Sequence, residues 1–224
     1  AGASEPMQAI PIELRASATT EATAAPATAT TTEESSEPAA TTAAPAEPTI
    51  FEIQQEGSEV SYIIDEVLRG SPTTVIGTSN QVAGQIAVNP ADPGSTQVGV
   101  IQINARTFAT DQDRRDNAVR NFILNTDQFE FITFTPTSLV GLPESAAVGE
   151  SYAFQIVGDL TIRDTTREVT WDVTVTPVGE GRLEGSATTS INRADWGLTI
   201  PNVPFVANVS EAIQLEIDFV ATAL

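Results

Sequence analysis

The sequence predicts an all-β fold: one antiparallel domain over residues 50–224, closed as a sandwich or barrel, with one short helical insert and a low-complexity tail ahead of it. Three observations predict it. Apolar residues recur at every second position in long runs, which is the period of a strand with one buried face. Turn-forming clusters separate those runs at hairpin spacing: Asn89-Pro90-Ala91-Asp92-Pro93-Gly94, Gly141-Leu142-Pro143-Glu144, Gly179-Glu180-Gly181 and Asn192-Arg193-Ala194-Asp195. The first 49 residues hold too little apolar material to share a core, leaving about 175 residues, a length that suits one domain.

Residues 1–15 come first in chain order. Ile10, Ile12 and Leu14 alternate with Pro11, Glu13 and Arg15, the pattern of a short strand with one apolar face. Pro11 lacks the amide that a central strand needs, so an edge position is expected. A lone strand is unstable in water and needs a sheet edge to join. Three placements follow: a mobile tail, docking on its own barrel, or self-association by strand addition to a neighbouring copy. Strand addition would build a head-to-tail array that need not close. The chain would then be a structural subunit of an extracellular assembly or filament.

Residues 16–49 use only Ala, Thr, Ser, Glu and Pro, and with no aromatic residue they read as a linker. Their Ser and Thr density, with Pro26, Pro38, Pro45 and Pro48 spaced through it, suits an O-glycosylated stalk as well as a bare spacer.

Strands are expected at 58–65, 73–79, 82–88, 97–105, 129–136, 152–162, 169–176, 183–191 and 213–220. Three of them show clean inner faces: Tyr152, Phe154, Ile156, Leu160 and Ile162; then Val169, Trp171, Val173 and Val175; then Ile213, Leu215, Ile217 and Phe219. Asp172, Glu216 and Asp218 fall on the opposite parity and read as solvated surface. The interval 112–124 breaks the period. Val119, Phe122 and Ile123 stand at i, i+3 and i+4 behind acidic residues, which predicts a short amphipathic helix placed to close one end of a barrel.

Composition narrows the chemistry. The chain has no Cys, no His and no Lys, so thiol nucleophiles, disulfides, imidazole bases, Cys or His metal sites and Schiff bases are all absent. Asp111, Asp113 and Asp116 miss the spacing of a calcium loop and have Arg114 and Arg115 among them, so helix capping explains them more simply. No catalytic residue, no metal and no cofactor is expected, and an enzyme is not the reading. Net charge is −20, which repels nucleic acid and anionic lipid surfaces. No apolar run approaches the roughly 18 residues that span a bilayer. Ala1-Gly2-Ala3 stands where a Met would open an unprocessed chain, and with the tail composition this reads as export from the cytoplasm.

Several motifs follow one another in a familiar order. Asn89-Pro90 with Asp92-Pro93, Val100-Ile101-Gln102-Ile103-Asn104-Ala105, Arg115-Asp116, Phe131-Ile132-Thr133-Phe134, Val157-Gly158-Asp159-Leu160-Thr161-Ile162-Arg163 and Ile191-Asn192-Arg193-Ala194-Asp195-Trp196-Gly197 together resemble the YceI-like domain, from about Phe51 to the C-terminus. The resemblance implies a lipocalin-like antiparallel β-barrel, secreted, periplasmic or cell-surface, with an elongated apolar cavity for an isoprenoid or quinone-like lipid. An eight-stranded barrel is about wide enough either to fill itself with side chains or to hold one slender ligand. One departure stands out: the family pattern carries a His in its first strand, and here Gln55-Glu56-Gly57-Ser58 and Tyr62-Ile63-Ile64-Asp65 supply none.

The partner expected on this reading is an apolar small molecule. Tyr62, Phe122, Phe134, Phe154, Trp171, Trp196 and Phe205 are the aromatics that would line its cavity; the alternative is ordinary core. Arg115 and Arg193, beside Asp116 and Asp195, are candidates to grip a head group bidentately, the alternative being structural ion pairs. Asn208-Val209-Ser210 is an acceptor pattern for glycosylation at Asn208.

Overall fold

A computed structural model describes residues 7–14, 47–179 and 181–224. The stalk or spacer expected of residues 16–49 therefore lies, as far as residue 46, outside the described residues. Among the described residues twelve strands form: β1 Thr49–Leu68, β2 Ser71–Ser79, β3 Val82–Ala83, β4 Gln85–Val88, β5 Gln97–Val98, β6 Ile101–Asn104, β7 Phe131–Val140, β8 Tyr152–Ile162, β9 Thr165–Pro177, β10 Arg182–Asn192, β11 Val206–Ala207 and β12 Ala212–Ala223. The α-helix among the described residues, α1, spans Asp113–Ala118 and runs on into a π-turn over Val119–Ile123.

All pairings are antiparallel, in the order β3-β6-β7-β8-β9-β10-β12-β1-β4-β5, with β2 and β11 also on β1. Only Gly84 separates β3 from β4, yet β3 pairs with β6 and β4 with β1, so one stretch of chain belongs to both ends of the sheet and curls it into a barrel. The Ile53 amide donates to the Gly84 carbonyl at 3.0 Å across this joint. A Cβ at Gly84 would stand 2.3 Å from Ile101 Cδ1, so a larger residue at this corner would have to displace the end of the Ile101 side chain.

Alternation then sorts the side chains. The expected inner faces of β8, β9 and β12 do point inward, with Leu160, Trp171 and Val173 buried in a single core. On β1 the pattern changes phase. Phe51 and Ile53 face inward before a register shift between Gln54 and Glu59; beyond it Val60, Tyr62, Ile64, Glu66 and Leu68 do so. The shift places the carboxylate of Glu66 inside the barrel wall.

Two expectations need correction. Phe122 does not plug the barrel end; it is 70% exposed. The π-turn, closed by Leu124 N–H donating to Val119 O at 2.8 Å, inserts an extra residue into the helical repeat. Val119, Ile123 and Leu124 consequently turn inward and Phe122 outward. The helix still closes that end of the barrel, with different residues.

The second concerns Met7–Leu14, which forms no strand. β4, beside which the segment lies, pairs with β1 on one side and β5 on the other, and residues 7–14 add to no strand among the described residues. The segment is held through side chains instead. Ile12 N–H donates to Gln85 Oε1 at 2.9 Å, and Gln55 Nε2 donates to the Met7 carbonyl at 3.3 Å. Gln85 in turn donates to Glu52 Oε2 at 3.1 Å. Of the three placements expected, the structure has the segment docked on its own barrel.

Candidate ligand-binding site

Two apolar cavities enter the barrel from opposite ends. The larger, about 360 Å³, lies between α1 with its π-turn, the β1–β2 hairpin and the segment 198–209; Ile64, Val75, Ile162 and Leu215 are among its walls. The smaller, about 130 Å³, lies under the turns at 93–96 and 142–146 and is bounded by Ile53, Phe134, Trp171 and Phe219. Strand β8 shows why there are two. Ile156 faces the smaller cavity and Ile162 the larger, while Leu160 between them touches neither and is 1% exposed. Leu160 forms the waist, and Trp196 is tied to it by an indole N–H donated to the Leu160 carbonyl at 3.2 Å.

Aromatic rings shape both walls. Tyr62 and Phe108 meet edge to face at 5.3 Å beside the larger cavity, and Phe134 and Trp171 do so at 5.9 Å beside the smaller. The Trp171 indole nitrogen is buried without a hydrogen-bond partner among the described residues, a state that costs about 1 to 3 kcal/mol.

Polar groups gather on one side of the larger cavity. Arg115 donates to Glu66 Oε1 at 3.0 Å and pairs with Asp111, and Glu66 is 8% exposed. Asp116 is buried and accepts from the Thr110 amide at 2.8 Å and the Thr110 hydroxyl at 2.7 Å. The Tyr62 phenol is pushed up to about 12, chiefly by burial, then by the negative charges of Asp116 and Glu66, with Arg115 acting the other way. It therefore keeps its proton and can donate a hydrogen bond throughout the physiological range.

A family model described as the YceI-like domain matches residues 51–221. The chain belongs to the YceI-like family. Among curated relatives, a UPF0312 protein of Staphylococcus aureus (strain bovine RF122 / ET3-1) is 32% identical over 111 residues, 46% of this chain and 58% of that protein. The chain thus covers under two thirds of such relatives' length. A UPF0312 protein of Pseudomonas fluorescens is 27% identical over 173 residues, covering 74% and 85% of the two chains. A polyisoprenoid binding domain from Saccharophagus degradans, implicated in plant cell wall breakdown, superposes with a TM-score of 0.62 at 14% identity, over 78% of this chain and 98% of that one. BcnA of Burkholderia cenocepacia gives 0.58 at 18% identity, over 76% and 99%. At these identities the likeness is one of fold, and it bears out the lipocalin-like barrel.

Within this YceI-like barrel the expected lining residues separate. Phe134, Phe154 and Trp171 stand on the smaller cavity, Tyr62 and Phe205 on the larger, and Trp196 on neither. Phe122 also lies on neither. Phe205 is at the mouth, 74% exposed, with a φ of 72° that a bulky residue rarely adopts. Of the two head-group candidates, Arg115 lines the larger cavity with its charge already met by Glu66 and Asp111. Arg193 does not line it. Its nitrogens donate to the carbonyls of Ser210 at 3.1 Å and Leu198 at 3.3 Å and to Glu211, which ties down both ends of the segment 198–210. Asn208 sits exposed on that same segment, with φ at 49°.

Sequence reasoning missed Glu66, Arg69 and Arg114 on the larger cavity, and the run Leu198, Ile200, Val203 that roofs it. The parity of β1 beyond its bulge was the available signal for Glu66. For the arginines there was none, because hairpin tips and first helical turns carry no period.

Proposed function

We propose that this barrel is an exported binding protein for one apolar, chain-like lipid of isoprenoid or acyl type, held with its chain in the larger cavity. The observation that carries the proposal is that cavity: about 360 Å³ of largely apolar space inside the barrel, open at a mouth rather than filled by side chains. Transfer of a hydrocarbon chain into such a site is favourable by about 0.8 kcal/mol per buried CH₂, so a few isoprene units suffice for useful affinity. The structural neighbour described as a polyisoprenoid binding domain supports the same class of ligand. Tyr62, Glu66 and Arg115 give the cavity one polar side, as suits a ligand with a chain and a distinct terminus.

Gentle organic extraction of protein purified from its own source, followed by mass spectrometry, tests the reading. A near-stoichiometric isoprenoid or acyl compound is expected. A clean extract, together with no uptake of a fluorescent prenyl or acyl probe, overturns it in favour of a structural subunit.

A further inference from the structure

Thirty carboxylates face ten arginines in this chain, so a guanidinium without a partner is the unexpected state. Among the described residues nearly every arginine has one. Arg106 and Arg182 pair with Glu130 and Glu184, and Arg115 and Arg193 with the carboxylates named above. Arg120, Arg163 and Arg167 donate to the carbonyls of Phe108, Ile123 and Asp195. The side chains of Arg69 and Arg114 make no such contact, and both stand on the larger cavity.

Their positions are built in. Arg69 is at the tip of the β1–β2 hairpin in a left-handed conformation, φ 53°, and its amide donates to the Phe205 carbonyl at 2.7 Å, so the tip is fastened to the roof of the cavity. Arg114 is in the first turn of α1, the element that caps the same end. Both are exposed, whereas Arg115 and Glu66 lie deeper. Of the nearby acids, Glu66 and Asp111 are taken by Arg115 and Asp116 by Thr110, while Asp113, next to Arg114 in the chain, is exposed and makes no ion pair with it. Two uncommitted guanidinium groups thus flank the entrance of an apolar cavity.

We infer that the larger cavity takes a single-chain amphiphile with an anionic terminus, a carboxylate or a phosphate monoester, its tail inside and its head held at the mouth by Arg69 and Arg114. The inference rests on the apolar-chain reading above and adds the charge of the head group. A planar guanidinium presents paired donors that match carboxylate or phosphate oxygens. The chain as a whole repels anions, so an anion bound here is held by these two side chains and not by the general field.

The full chain, stripped of lipid, is titrated with two matched pairs, hexadecanol against palmitate and geranylgeraniol against geranylgeranyl phosphate, following displacement of a fluorescent prenyl or acyl probe. Within each pair the anion is expected to bind about tenfold more tightly, the scale of two solvent-accessible charge contacts. The double variant Arg69→Asn, Arg114→Gln should erase that preference, so that each anion binds no more tightly than its matched alcohol; Asn is chosen because it tolerates the left-handed backbone at 69. Arg114→Gln alone should remove about half the preference on a logarithmic scale. Whichever anion binds more tightly identifies the acyl or the prenyl source. Equal affinity for anion and alcohol, or a preference that survives the double variant, overturns the inference while leaving the apolar cavity reading intact. If no member of either pair binds, both fall.

Discussion

Tyr62 packs its ring against Gly77, its direct partner in the β1–β2 ladder, and a Cβ at position 77 would come within 2.2 Å of the ring. The missing side chain at 77 is what lets the phenol fold back against the barrel wall instead of standing across the larger cavity. Gly77→Ala should push Tyr62 off its contact with Phe108 and into that space. A loss of about 1 to 3 kcal/mol is expected from overpacking, together with weaker uptake of a prenyl or acyl probe. Adding Tyr62→Leu should recover most of both losses, and a denaturation and binding cycle that shows no such coupling rules this packing relationship out.

The same phenol has a pH signature. Its value of about 12 in the folded barrel lies above the ordinary 10, so the folded state holds its proton where the unfolded chain has released it. The stability that this contributes is complete below pH 10 and is lost as pH rises from about 10 to about 12. Ultraviolet titration should therefore show a tyrosine step near pH 12 that disappears in Tyr62→Phe. A step near 10 at this residue contradicts the burial described.

At the capped end, Phe122→Ala should cost under about 1 kcal/mol because the ring is in solvent. Leu124→Ala, which removes a buried side chain from the cavity wall, should cost about 2 to 5 kcal/mol. Chemical denaturation of the two variants checks this, and a reversed order of losses means that the π-turn is misplaced.

Arg193 acts as a fastener. In Arg193→Ala the carbonyls of Leu198 and Ser210 lose their donor and Glu211 its partner, so amide exchange should accelerate across 198–210 more than tenfold while β8 and β9 stay protected. Uniform exchange across the barrel would show instead that the segment is not a separate unit.

At Ile12, docking of the N-terminal segment rests on the Gln85 side chain. The Ile12 amide should be protected from exchange in the parent and should exchange like an unstructured peptide in Gln85→Ala. An Ile12 amide already unprotected in the parent refutes the docking.

Much of the fold was legible because period-two patterning is a local property: β8, β9 and β12 display their inner faces residue by residue, and the turn clusters mark their ends. The helix near 113 was legible in place but not in facing, since Val119, Phe122 and Ile123 fit an α-helical stripe that a single π-turn re-aims. The strand expected around Ile10 failed for a different reason. Its alternation was real, but residues 7–14 are held by the side chains of Gln85 and Gln55 and not by a backbone ladder.

Composition by itself determined what chemistry is missing, and alternation with turn spacing determined antiparallel strands with apolar inner faces, a sandwich or a barrel, because both are carried by residue identity and its immediate spacing. Tertiary structure alone decided that the barrel keeps two cavities with Leu160 as their waist, that Glu66 faces inward past the β1 bulge, and that Arg115 and Arg193 are spent on their own chain while Arg69 and Arg114 are not. Those outcomes depend on which distant side chains meet, and in a barrel closed by pairing β3 with β6 and β4 with β1 such meetings are set by register and closure.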